Sequence, residues 1–257
     1  MNAFRALQAK LKEAKSLVFF DLETSPMLAY VWSTGKQFVT HQQLETQTKI
    51  ISAQWMFEGD KEVSYEAWDS NQDDTRVVLA ISEVLKYAKV AVSQNGRQFD
   101  HKILRWRANI LGLPPIREVE IFDTLSLSRK AFRPASHKLD YRSAAYGLGG
   151  KIHMELKDWI DVLKKKPGSL EKMVKYGCKD ILDLRRLFWK ELPYYQTLPS
   201  SLAKLVYPFL GNSREFCSKC ASKKQRKFDI YPTKIDNKAM MKCEHCGYFW
   251  KETRVLK

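Results

Sequence analysis

Residues 18–26 read VFFDLETSP, so the most strand-like early segment of the chain ends in two acids, Asp21 and Glu23. Ser16 to Phe20 form a short continuous run of apolar or small residues, dense in Val and Phe, which predicts a strand buried on both faces. Alternate residues of a strand point to one side, so Asp21 and Glu23 project together where the strand leaves the core. Two carboxylates that close repel each other unless something positive lies between them, and a divalent cation suits their oxygens. The same residues also fit a plainer arrangement, with Asp21 capping the turn after the strand and Glu23 solvated. The motif alone leaves both open.

The 257 residues suffice for one domain of ordinary size plus a smaller unit, and 44% hydrophobic with 28% charged residues describes a soluble globular protein. No apolar run is long enough to span a bilayer. The start MNAFRALQAKLKEAK lacks the apolar core of a secretory signal and reads as an amphipathic helix, with organelle targeting as the alternative. The expected location is cytoplasmic, with no membrane partner. A net charge of +15 favours a polyanionic partner over a neutral small molecule.

Four of the five cysteines form two C-x2-C pairs, Cys217/Cys220 and Cys243/Cys246, separated by 22 residues. In a cytosolic chain such pairs point to metal ligands before disulfides. The spacing fits one tetrahedral structural Zn2+ in a zinc ribbon, with Gly247 letting the backbone turn; an iron centre or redox dithiols are the alternatives. From residue 201 onward thirteen Lys and Arg face five Asp and Glu, a net of +8 in about a fifth of the chain. The preceding PYYQTLPSSLAKLVYPF holds three prolines and reads as a connector. The expected organisation is therefore a domain over 1–192, a linker over 193–213 and a zinc ribbon over 214–257. Lys223, Lys224, Arg226 and Lys227 are its candidate phosphate contacts. Phe228, Tyr231, Phe249 and Trp250 fit either base stacking or the small core of the ribbon.

Further acids lie on predicted helices. In KVAVSQNGRQFDHKILRWRANILGL a strand over 89–93 turns at Asn95-Gly96, and Asp100 opens a helix, where its dipole favours an acid with or without chemistry. In GSLEKMVKYGCKDILDLRRLFWKEL, Ser169 is the expected N-cap. Leu170, Met173, Val174, Gly177, Ile181, Leu184 and Phe188 share one stripe at 100° per residue. Tyr176 and Asp180 occupy the neighbouring face, with Asp180 nearer the stripe than Asp183.

Together, D-x-E ending a first strand, N-x-x-x-F-D after a later strand and Y-x-x-x-D on a late helix resemble the three motifs of DEDDy 3′→5′ exonucleases. That group belongs to the ribonuclease H-like, DnaQ-like superfamily, and the similarity is nearest to the proofreading domains of family B DNA polymerases. It spans roughly residues 15–192, and IFDTLSLSR and HKLDYRSAAYGLGGK resemble the family's connecting elements. The resemblance implies an α/β ribonuclease H-like fold, here a stand-alone nuclease with two catalytic Mg2+ or Mn2+ ions. Its substrate would be single-stranded DNA 3′ ends.

Roles carried over from the resemblance make Asp21 the bridge between the ions. Glu23 and Asp180 complete the site that activates water, Asp100 holds the second ion largely through water, and Tyr176 orients the water. Tyrosine's own pKa is too high for an efficient general base at neutral pH. Asn95 is carried over as a nucleic-acid contact. The sister DEDDh pattern H-x-x-x-x-D has a rival match in His153 and Asp158 within HMELKD; the long helix behind Tyr176 and Asp180 favours the tyrosine pair. The ribbon lies outside the family pattern and could dock nucleic acid or a replication or repair protein. An exoribonuclease is the nearest alternative activity, because the 2′-hydroxyl contacts that separate RNA from DNA leave no trace here. A binding module with an inactive nuclease fold is the other.

The expected sheet is mixed, with a hairpin of residues 49–56 and 62–68 joined by FEGDK. Helices over about 75–88, 99–111, 138–147 and 169–191 cover it. Tyr30 and Trp32, soon after the metal strand, are either loop anchors or groups that stack on terminal bases.

Overall fold

Strand β1, Leu17–Thr24, is the centre of a five-stranded sheet. The structure, a computed structural model, describes residues 17–148, 152–195, 202, 225–232, 237–244 and 247–251. β1 is followed by a short antiparallel pair, β2 (Leu28–Ala29) and β3 (Leu44–Thr46), then by β4 (Ile50–Phe57) and β5 (Ser64–Ala67). Helix α1 (Thr75–Tyr87), β6 (Val90–Ser93), α2 (Asp100–Ile110), β7 (Glu120–Asp123), α3 (Thr124–Ala131) and α4 (Leu139–Ala145) come next. Helices α5 (Leu156–Leu163) and α6 (Ser169–Glu191) follow, and β8 (Gln225–Pro232), β9 (Asn237–Cys243) and β10 (Phe249–Lys251) form a separate antiparallel sheet.

The main sheet has the order β5-β4-β1-β6-β7. β4 is antiparallel to both β1 and β5, whereas β1, β6 and β7 run parallel, so the sheet is mixed as expected. Each face carries its own core. Val18, Phe20 and Leu22 pack with Ala53, Val77, Ile81, Leu85 and Leu104 under α1 and α2. Leu17 and Phe19 pack with Met56, Phe122, Ile181, Leu184 and Phe188 under α6. Phe19, Phe122 and Phe188 meet edge to face at 5.3 and 5.0 Å, a geometry that adds about 0.5–1.5 kcal/mol per pair beyond area burial.

This alternation determines where the acids go. Residues 17 and 19 face α6, so residues 21 and 23 continue on the α6 side at the end of the strand. Bidentate Arg185–Glu58 contacts of 2.9 and 2.6 Å tie α6 to the end of β4, with Trp189 Nε1 donating to the same carboxylate at 3.0 Å. The buried Arg142–Glu191 pair, 2.7 Å, ties α4 to α6.

The structure adjusts several boundaries. Gly168, at φ 74°, occupies the N-cap position of α6, and Ser169 is its first residue, donating its hydroxyl to the Lys166 carbonyl at 2.6 Å. Tyr195 and Leu202, inside the expected linker, are buried in the core beneath α6. The amphipathic helix expected at the N-terminus falls outside the described residues. No described helix is long and apolar enough to cross a membrane.

Candidate active site

Asp21, Glu23 and Asp180 offer carboxylate oxygens that all lie within 4.8 Å of one another. β1 supplies the first two, and α6 brings the third because Ile181 and Leu184 seat its stripe on the sheet beside Phe19. Asp180 stands next to that stripe and therefore turns toward the strand end. Asp100 reaches the same place from α2, where its Oδ1 accepts the Leu22 amide at 3.1 Å.

Gly96 shapes the turn that delivers Asp100. A Cβ at Gly96 would stand 1.7 Å from Ser93 Oγ and 3.5 Å from Asp100 Oδ2, so no side chain fits. Asn95 adopts φ 67°, a conformation Asn tolerates better than most residues, and its amide donates to Asp123 Oδ1 at 3.1 Å. Asp123 also caps α3 through the amides of Leu125 and Ser126.

The acids line a cleft of about 660 Å³ together with Tyr176, His153 and Phe99. Burial raises all four carboxyl pKa values, and crowding adds to it. Glu23 is pushed up to about 8 by desolvation and by Asp180 and Asp100. Asp100 rises to about 7 through desolvation, against hydrogen bonds that favour its charge. Asp180 rises to about 6, with desolvation outweighing the Tyr176 hydroxyl bond. Asp21 is raised well above the usual carboxylate range by burial, then by Asp100, Glu23 and Asp180. Among the described residues no Lys or Arg forms a salt bridge with these four acids; Lys179 on α6, whose charge offsets part of the rise at Asp180, pairs with Asp183. Hard oxygen donors crowded together without an ion-pair partner fit a divalent cation.

Tyr176 is held by an edge-to-face contact with Trp159 at 6.3 Å, and burial followed by Asp180 pushes its phenol upward, so it stays neutral. His153 also lines the cleft, on an exposed segment. Asp158 does not line it: its carboxylate caps α5 through the Glu155 amide and pairs with Lys172 at 2.5 Å. Asp183 differs from its expected position. It is 9% exposed, on the cleft wall, covered by the ion pair with Lys179.

Sequence reasoning missed Gln94, Lys138, Asp140 and Tyr141, which also line the cleft. Gln94 donates to the His137 carbonyl at 3.0 Å and accepts from Arg142 at 2.7 Å, which fixes the approach of α4. The segment HKLDY carried the signal, a lysine at the start of a short helix, but only the fold puts it in the cleft with the acids. Tyr30, Trp32 and Phe38 lie outside the cleft lining, on the arm between β1 and β4, and are 70%, 101% and 89% exposed.

In the C-terminal sheet, order β10-β9-β8, Cys243 ends β9 and is buried. The Gly247 amide donates to the Cys243 carbonyl at 2.9 Å, with Gly247 at φ 71°. Arg226 approaches Glu244 at 4.0 Å, and the Lys242 ammonium lies 5.1 Å from the centre of the Phe249 ring. Cys217, Cys220, Cys246, Lys223 and Lys224 fall outside the described residues, as do the side chains of Lys227, Phe228, Tyr231 and Trp250.

No family model and no curated protein matches the chain. Among solved structures, the family B DNA polymerase from the hyperthermophilic archaeon Pyrobaculum calidifontis is similar, with a TM-score of 0.54 and 16% identity. The match covers 77% of this chain and 28% of the polymerase chain. At that identity the likeness is one of fold. The mixed five-stranded sheet with an acidic cluster at the end of its first strand fits a ribonuclease H-like fold.

Proposed function

We propose that the protein is a metal-dependent 3′→5′ exonuclease of the DEDDy type acting on single-stranded DNA. The observation that carries this is the convergence of Asp21, Glu23 and Asp180 within 4.8 Å in the lining of an open cleft. Asp100 and Tyr176 complete the five-residue pattern in the same cleft. The motif resemblance to polymerase proofreading domains and the fold likeness to a family B polymerase support the same reading.

Asp21, Glu23 and Asp180 would hold one Mg2+ or Mn2+, and Asp100 would contribute to a second. Bound there, such ions supply charge neutralisation at the phosphate and activation of water. The protein's own residues do the rest. Tyr176, neutral and bonded to Asp180, presents its hydroxyl to the cleft and orients a water for in-line attack. Lys138, in the lining of the same cleft, offers a cation to the scissile or neighbouring phosphate. Asn95, at the turn after β6 and outside the cleft lining, is read as a nucleic-acid contact. Tyr30, Trp32 and Phe38 supply exposed rings on which unpaired bases can stack.

The C-terminal unit is read as a zinc ribbon, with Cys217, Cys220, Cys243 and Cys246 as ligands and Lys223, Lys224, Arg226 and Lys227 as phosphate contacts. Its three-stranded antiparallel sheet and the tight turn at Cys243–Gly247 support this.

The test is digestion of 5′-labelled single-stranded DNA, duplex DNA and RNA by the purified protein with Mg2+ or Mn2+. A metal-dependent ladder of stepwise 3′ shortening is expected on single-stranded DNA. A ladder on RNA alone would reassign the substrate, and binding without cleavage would replace the enzyme by a binding module.

A further inference from the structure

The residues facing the acids across the β1–β4 ladder are polar, fully buried and unused in the chemistry above. Gln54 stands opposite Asp21, and Ser52 opposite Glu23. Directly opposed residues of an antiparallel pair share a face, so both lie on the α6 side of the sheet. Gln54 Nε2 donates to Ser52 Oγ at 2.8 Å, while Gln54 Oε1 is buried without a partner among the described residues.

The other side of the amide lies against α6. A Cβ at Gly177 would come 2.5 Å from Gln54 Cδ, 2.6 Å from Oε1 and 2.8 Å from Nε2. Gly177 belongs to the stripe that Ile181, Leu184 and Phe188 continue, so it is the point where the seam changes from apolar packing to an amide seated on bare backbone. Glycine inside a helix is less stable than alanine, and a buried unpaired carbonyl is less stable than a hydrocarbon of the same size. Both local costs meet at one contact, one residue from Tyr176 and three from Asp180. Local rules broken together in this way mark functional positions.

We propose that Gln54 is a positioning residue: its amide is the spacer that fixes the separation of the β1–β4 ladder from α6 where Asp21, Glu23 and Asp180 converge, and Gly177 is the notch that receives it. This rests on reading the three acids as a divalent-cation site. The spacer matters because ligand oxygens must be held to within about 0.5 Å, and two of these come from the ladder and one from the helix. A methyl group at residue 177 pushes Asp180 away from β1. Truncation at residue 54 lets the helix settle and tilts the same carboxylate.

The test is calorimetric titration of the metal-free full-length protein with Mn2+, for wild type, Gly177→Ala, Gln54→Ala and the double variant, with thermal unfolding recorded without metal. Wild type should bind Mn2+, and Gly177→Ala and Gln54→Ala should each bind about tenfold more weakly, at a temperature where all are folded. The double variant, whose new methyl fills the space the amide vacates, should recover to within about threefold of wild type. A wild type that takes up no Mn2+ sinks the cation-site reading itself. A wild type that binds, with Gly177→Ala binding equally well or the double variant no better than Gly177→Ala, overturns the spacer. Should Gly177→Ala fail to fold, Gln54→Met against Gln54→Ala decides: affinity kept by Met and lost by Ala supports the spacer, and equal affinities overturn it.

Discussion

The main-chain amide of Leu22 donates a hydrogen bond to Asp100 Oδ1 at 3.1 Å, joining positions 78 residues apart. The bond lies between Asp21 and Glu23, so Asp100 is anchored to the strand that carries them. Asn can accept the same bond. Asp100→Asn should therefore fold normally and, without metal, melt at the same or a higher temperature, because a buried carboxyl with raised pKa is removed. Its cleavage should fall at least about 100-fold through lost charge stabilisation. Near-wild-type cleavage by this variant would remove Asp100 from the site.

Stability should depend on pH in a direction set by the acid cluster. Ordinary carboxyls titrate near pH 4. Glu23, Asp100 and Asp180 are raised to about 8, 7 and 6, and Asp21 is raised as well. The folded chain thus binds more protons than the unfolded chain between about pH 4 and pH 8, and unfolding free energy falls as pH rises through that window. Metal-free protein should melt several degrees lower at pH 8 than at pH 5.5, at about 2–4 °C per kcal/mol. Added Mg2+ or Mn2+ should restore more at pH 8 than at pH 5.5, and thermal melts with and without metal check both statements.

Tyr176 and His153 line the same cleft, so substitution discriminates between them. Tyr176→Phe keeps the ring against Trp159 and removes only the hydroxyl. It should slow turnover about 10- to 100-fold with little change in stability, whereas His153→Ala should change it less than about threefold. Single-turnover rates at saturating metal give the comparison, and the reverse order would assign the histidine subgroup.

Trp32 is fully exposed, so replacing it should not alter the fold. If bases stack there, Trp32→Ala weakens binding to single-stranded oligonucleotides by about 1–3 kcal/mol and leaves the cleavage rate at saturating substrate unchanged. Fluorescence anisotropy with wild type and variant reads this directly, and equal affinities would return the arm to another role.

The basic tail predicts a salt effect. Replacing Lys223, Lys224, Arg226 and Lys227 by Gln should lower the slope of log affinity against log salt by roughly 0.7 for each single-strand phosphate that the tail no longer neutralises. Unchanged slopes would move the tail toward protein docking. Substitution is the better design than truncation near residue 200, because Leu202 is buried in the main core.

The sequence alone determined which residue types meet. Alternation along VFFDLET put Asp21 and Glu23 on one face, and the helical stripe around Gly177 put Tyr176 and Asp180 beside the seam, because these periods follow from backbone geometry. It also showed the mixed sheet and helices α1, α2, α4 and α6 with ends shifted by a residue or two. Only the tertiary structure decided what lies opposite. The β1–β4 register set Gln54 across from Asp21, and the seating of α6 pressed Gly177 onto that amide. Likewise the approach of α4 brought Lys138 into the cleft lining and Lys179 folded over Asp183, burying an acid the stripe had placed farther out. Local periodicity tells which way a side chain points from its own element. Which group it then faces depends on contacts between residues distant in sequence, and no local pattern encodes their distances.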